Sequence, residues 1–230
     1  MDMRRRYYMI LDTETANTYT VDGKLNTQDS LVYDLGFQIV DKKGNVYEEK
    51  SYIIYDVFFN MRDVMQSAYY ATKRKKYIKE IAEGKRKIIT YKQARQIIHY
   101  YCRLYKVKAI CAHNAYFDYN ALTKTQRYLS KSAQRYFFPY GIEIWDTLKM
   151  ARSTICKQKS YIRFCEENGY MTKHKVPQPK ATAEIIYRYI SGEDNFNEEH
   201  TGLEDVKIET EIFAHCIAQH KKMKKVLFEG

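Results

Sequence analysis

Only three of the 230 residues are proline and nine glycine, and no Pro-, Gly- or Ser-rich stretch interrupts the chain. Nothing in it reads as a linker, so one domain over residues 1–230 is expected. Long apolar runs are also missing. With a mean hydropathy of −0.62, no segment approaches the length of a bilayer-spanning helix, which excludes membrane insertion by that route. Tyr7 to Leu11, behind Arg4-Arg5-Arg6, opens like a secretory signal, but Asp12 stops it too early. The five cysteines (Cys102, Cys111, Cys156, Cys165, Cys216) are odd in number and contain no C-x-x-C pair. Neither a disulfide framework nor a zinc ribbon fits, and a reducing cytoplasm is the expected setting. There is no repeat, no low-complexity tract and no fused polymerase or helicase region.

Positive charge and tyrosine are abundant. Thirty-nine Lys and Arg against 28 Asp and Glu leave a net charge of +11, with 23 tyrosines interleaved. Surplus positive charge attracts polyanions in a salt-sensitive way, and aromatic faces are what unpaired bases stack on. Single-stranded nucleic acid is therefore the partner class that composition favours.

Periodicity predicts an α/β arrangement with a mixed sheet. Tyr7 to Thr13 is apolar on both faces, as in a central strand covered on either side. Leu31 to Val40 and Val46 to Tyr55 are further strands, joined by the turn-forming Asp41-Lys-Lys-Gly-Asn45, so three antiparallel strands open the chain. A basic, Tyr-rich helical region follows over about 57–105, with Ile81, Ile88, Ile97 and Ile98 as candidate buried contacts. Its Tyr69–Tyr77 stretch, Lys85-Arg-Lys87 and Lys92 suit either a guide for single-stranded substrate or a solvated face. Val107 to Ala112 reads as a strand, with Asn114 capping the helix after it, and Gly141 to Trp145 as another, with Asp146 capping the next helix. Thr201-Gly-Leu-Glu204 fits a capping box that starts the last helix, with Leu203, Val206, Phe213 and Ile217 facing inward. The basic tail over 219–230, around Lys221–Lys225, is expected to lack fixed structure, so that its removal lowers affinity more than turnover.

Three short stretches carry the chemistry: Leu11-Asp-Thr-Glu-Thr15, His113-Asn-Ala-Tyr-Phe-Asp118 and His200-Thr-Gly-Leu-Glu-Asp205. Asp12 and Glu14, two apart on a strand, project to one side, while Asp118 and Asp205 fall in the first turns of two helices. Four carboxylates gathered together repel one another, so a fold that collects them calls for divalent cations, which chiefly serve phosphoester cleavage. Each motif alone is commonplace; the specific signal is the three in this order on these elements.

That conjunction resembles the DnaQ-like 3′–5′ exonucleases, the DEDD superfamily of ribonuclease H-like fold, and His200-x-x-x-x-Asp205 points to the histidine branch, DEDDh. The resemblance runs from Tyr7 to about Ala218, with a longer and more basic stretch between Asp12 and Asp118 than compact members have. It implies a mixed five-stranded sheet flanked by helices and two Mg²⁺ or Mn²⁺ ions. Asp12 would bridge them, Glu14 and Asp205 would complete one site, and Asp118 would serve the other. It further implies His200 as the base that takes a proton from the attacking water, releasing 5′-mononucleotides from a free 3′ end. Thr13, Thr15 and Asn114 would be positioned to meet substrate, although Asn114 as a helix cap is the simpler alternative. Asp146 is explained by capping and His113 by packing. DNA is favoured with RNA left open, as in proofreading or repair with a separate polymerase, and a homodimer is left open too. A structure-selective endonuclease on the same fold and a non-catalytic nucleic-acid-binding or polymerase accessory module remain as alternatives.

Overall fold

The computed structural model describes residues 5–19, 22–68, 73–131, 133–197 and 200–228. Three strands come first: β1 (Tyr7–Tyr19), β2 (Leu25–Asp41) and β3 (Val46–Ile54). They pair antiparallel in sequence. The turn between β2 and β3 is built by Asp41, whose Oδ1 accepts from the amides of Lys43 and Asn45, and by Gly44 at a φ of 83°. That conformation suits a residue without a Cβ.

The sheet has six strands in the order β4-β3-β2-β1-β5-β6, completed by β4 (Lys87–Ile89), β5 (Ala109–Ala112) and β6 (Glu143–Asp146). The expected five strands thus become six, because β4 pairs parallel to β3 inside the stretch expected to be helical. Three residues are too few to display a period, and on this edge Ile88 faces outward, 42% exposed, instead of joining the core. Ile98 is buried, and Ile81 and Ile97 pack on the core from its rim. Residues 69–72 of the Tyr69–Tyr77 stretch lie outside the described residues.

Helices cover both faces. Side chains at odd positions of β1, such as Met9 and Leu11, join a core with α1 (Tyr55–Phe58), α2 (Arg62–Gln66), α3 (Arg74–Ala82), α4 (Tyr91–Leu104) and α5 (Tyr116–Leu129). Even positions, Tyr8 and Ile10, join a second core with α6 (Thr147–Ser153), α7 (Lys159–Glu167), α8 (Ala183–Ser191) and α9 (Gly202–Ala218). Asp12 and Glu14 continue this even face, so the acids stand on the α9 side of the sheet where the apolar core ends. No described helix is long and apolar enough to cross a membrane.

The N-terminus of α9 meets β2 backbone to backbone. A Cβ on Gly36 would lie 2.3 Å from the carbonyl carbon of Gly202, so neither position admits a larger residue at this spacing. On the same face Thr210 Oγ1 donates to Gln38 Oε1 at 2.8 Å. The helix is therefore held against β2 along its length.

The C-terminal stretch does not hang free as expected. Asp146 N donates to Lys225 O at 2.7 Å and Leu227 N to Ile144 O at 2.8 Å, an antiparallel bridge along the outer edge of β6. The Lys225 ammonium sits 4.0 Å from the Trp145 ring centroid, and Phe228 packs on Tyr119. Val226, Leu227 and Phe228, apolar residues behind a charged run, supply the surface that docks it.

Two consequences are measurable. Gly36→Ala should destabilise the protein by about 1–3 kcal/mol, as overpacking does, read as a lower urea midpoint; an unchanged midpoint would contradict the close approach. Deleting the chain from Met223 onward should lower stability by about 2 kcal/mol, two backbone hydrogen bonds at about 1 kcal/mol each, where a free tail would change only nucleic-acid affinity.

Candidate metal centre

β1 pairs with β5 only through Tyr8–Ala109, Met9–Ile110 and Ile10–Cys111. Beyond Ile10 it runs on without a strand neighbour on that side, and the first turn of α5 takes over. Asp118 Oδ1 accepts from Thr13 N at 3.1 Å and from Thr13 Oγ1 at 2.7 Å. A carboxylate thus replaces the missing strand, and this places it beside Asp12. The D-x-E pair sits in the body of a longer strand than the sequence suggested, since β1 continues to Tyr19 with register shifts after Glu14 and Asn17.

The structure brings three of the four acids together, with Asp118 held next to them by Thr13. Ligand oxygens of Asp12, Glu14 and Asp205 all lie within 4.8 Å of one another. Burial pushes the Asp12 carboxyl well above its ordinary value, and Asp118, Glu209, Asp205 and Glu14 each push the same way. Glu14 is pushed up to about 9, first by burial and then by Asp205 and Asp34, with Lys73 opposing. Asp118 rises to about 7 through burial, although its bonds from Thr13 work against the shift. An all-oxygen donor set under this much mutual repulsion fits hard divalent cations.

His200 stands two residues before α9 at a left-handed φ of 50°. Burial and then Lys73 lower its pKa, with Glu184 opposing. Asn114, at a φ of 63°, takes the same conformation in the turn before α5. It does not cap that helix: the cap position is Ala115 and no side chain fills it. Asn tolerates the left-handed region better than most residues, which accounts for its presence there. The cap on α9 also differs from expectation. Thr201 occupies the cap position, but its hydroxyl bonds no backbone amide; Asp34 Oδ2 accepts from Gly202 N instead, at 3.1 Å. Thr13, expected to meet the terminal nucleotide, spends both donors on Asp118, and Thr15 lies at the register shift after Glu14.

Asp146 caps α6 through the amides of Leu148 and Lys149 and also accepts from Asn114 N at 3.1 Å, holding the turn that leads to Asp118. Both ring nitrogens of His113 are bonded, to Thr147 Oγ1 and Ala181 O, which makes it a packed residue.

Sequence reasoning missed Glu209 and Asp34. Glu209 stands one turn beyond Asp205 and lines the same cleft as Asp12; the i, i+4 spacing of the two acids was the available signal. Asp34 was visible as a lone acid in the apolar run Leu31–Phe37. The cleft, of about 1020 Å³, is lined by Asp12 and Glu209 and also by Asn114, Arg152, Lys157 and Lys180. Carboxylates and cations therefore share one opening.

An acid whose pKa rises on folding keeps its proton in the native chain after the unfolded chain has lost it, so stability falls with rising pH. For Glu14 that window runs from 4.5 to about 9 and for Asp118 from 3.8 to about 7. Metal-free protein should lose stability across it. At pH 8 in EDTA, Asp12→Asn should raise the thermal midpoint by roughly 2–4 °C for each kcal/mol of repulsion relieved. A lower midpoint would contradict the crowding.

No protein-family model and no curated protein matches the sequence. Solved structures do. A full-length 3′-exonuclease superposes with a TM-score of 0.59 at 10% identity, over 96% of this chain and 85% of that one. The nuclease domain of 3′hExo, a DEDDh family member bound to rAMP, gives 0.56 at 11%, over 99% and 100%. A 3′-exonuclease described in 3′-end-specific recognition of a histone mRNA stem-loop gives 0.55 at 10%, over 96% and 68%. At these identities the likeness is one of fold, and the chain has the ribonuclease H-like fold of such exonuclease domains.

Proposed function

We propose that this chain is a DEDDh-type, metal-dependent 3′–5′ exonuclease that removes 5′-mononucleotides from single-stranded nucleic acid. The observation that carries the proposal is the clustering of Asp12, Glu14 and Asp205 within 4.8 Å, with Asp118 alongside, at a cleft that Arg152, Lys157 and Lys180 also line. Two Mg²⁺ or Mn²⁺ ions held by these four acids would neutralise the charge that builds up at the attacked phosphate.

The chain's own residues do the rest. Thr13 fixes the Asp118 carboxylate through two hydrogen bonds. The cationic lining attracts the phosphate backbone. His200, whose pKa is lowered by burial and Lys73, accepts the proton of the attacking water. Water oxygen bonds to phosphorus as the bond to the 3′ oxygen breaks, and the terminal nucleotide leaves with its 5′ phosphate. The histone mRNA stem-loop and the rAMP named for two neighbouring structures support counting RNA as well as DNA among the substrates of this proposal.

Matched 5′-labelled DNA and RNA strands, incubated with Mg²⁺, Mn²⁺ or EDTA, test this. One-nucleotide ladders are expected with metal and none with EDTA, and His200→Ala should slow them by about 10²–10⁴-fold. Discrete internal cuts, or trimming that survives EDTA, would contradict the proposal.

A further inference from the structure

The sequence left the basic segment between β3 and α4 as either a guide for substrate or a solvated face, yet its Arg86 is only 6% exposed. Nη1 of Arg86 donates to Asp34 Oδ2 at 2.8 Å and to Ser51 Oγ at 3.0 Å, Nε donates to Glu80 Oε2 at 2.6 Å, and the guanidinium lies 4.7 Å over the Tyr77 ring. Tyr77 Oη donates to the same Asp34 oxygen at 2.9 Å. The third donor to that oxygen is Gly202 N, the first residue of α9.

Asp34, which has 0% exposure, therefore joins three parts of the molecule at one atom. It is also the direct cross-strand partner of Glu14 in the β1–β2 register. Directly opposed like charges are destabilising unless one is balanced, and the buried guanidinium provides that balance. As the acceptor at the start of α9, Asp34 does the work of a cap from a neighbouring strand. Asp205 sits in the first turn of that helix and His200 two residues before it.

Resting on the exonuclease proposal above, we propose that Asp34, backed by Arg86 and Tyr77, is a positioning residue that seats the start of α9 against Glu14. It thereby sets the spacing of Asp205 and His200 from the β1 acids. The α3–β4 segment is then a structural part of the metal centre. Removing one partner of a buried pair leaves the other uncompensated, so Arg86→Met leaves the Asp34 carboxylate facing Glu14 with no guanidinium beside it.

Mn²⁺ binding by titration calorimetry, together with kcat and KM on a labelled strand, should be measured for the parent, Asp34→Asn, Arg86→Met, Arg86→Lys and Tyr77→Phe. Asp34→Asn and Arg86→Met are expected to weaken Mn²⁺ affinity at least tenfold and to lower kcat at least tenfold with KM within twofold. Arg86→Lys should recover part of both losses. Tyr77→Phe removes a single hydroxyl from an otherwise intact ring and should cost a fewfold in each, so it decides the matter should the charge variants not fold. Variants that melt earlier but bind Mn²⁺ and turn over within twofold of the parent would overturn the inference. A parent that neither binds Mn²⁺ nor cleaves would overturn the exonuclease proposal instead.

Discussion

Like charge held close in a partly dry setting governs the organisation of this molecule. Asp12, Glu14, Asp118 and Asp205 come from a strand and two helices far apart in sequence, yet the first, second and fourth have oxygens within 4.8 Å of one another. Burial alone raises the pKa of an isolated carboxyl, and each added neighbour raises it further. The surrounding fold must hold this arrangement against its own repulsion, and the way it does so is visible around each acid.

The strand register supplies the first part. β1 outruns β5 after Ile10, which frees the amide of Thr13 for Asp118 and opens a gap in the sheet into which α5 can present a carboxylate. Alternation supplies the second, since Asp12 and Glu14 extend the face that buries Tyr8 and Ile10. Backbone contact supplies the third: Gly36 against Gly202 brings α9 close enough for its first turn to reach that face. Left-handed turns at Asn114 and His200, one before each acid-bearing helix, mark where the chain bends sharply to make these approaches. Such conformations persist only where the surroundings fix them, and Asp146 and Asp34 hold the backbone at these two turns.

Much of this was legible in the sequence because it obeys short-range rules. A period of two places Asp12 beside Glu14, and the turn residues Asp41–Asn45 produce the hairpin. The N-cap at Asp146 follows from local hydrogen-bonding chemistry. Features that depend on distant partners were not legible. The cap on α9 comes from Asp34, 168 residues away, so Thr201 looked like the capping residue. Arg86, within Lys85-Arg-Lys87, had the look of a surface charge because nothing local reveals Asp34 and Glu80 around it. β4 is too short to show a pattern, and the C-terminal stretch is ordered by the open edge of β6, which no property of the tail itself discloses.

The central claim is that four acids form one centre for divalent cations on the α9 side of β1. Anomalous diffraction from crystals soaked in Mn²⁺ tests it directly. Peaks bounded by Asp12, Glu14 and Asp205, with Asp118 at their margin, are the predicted result. Anomalous density confined to other parts of the surface, with the carboxylates splayed apart, would contradict it.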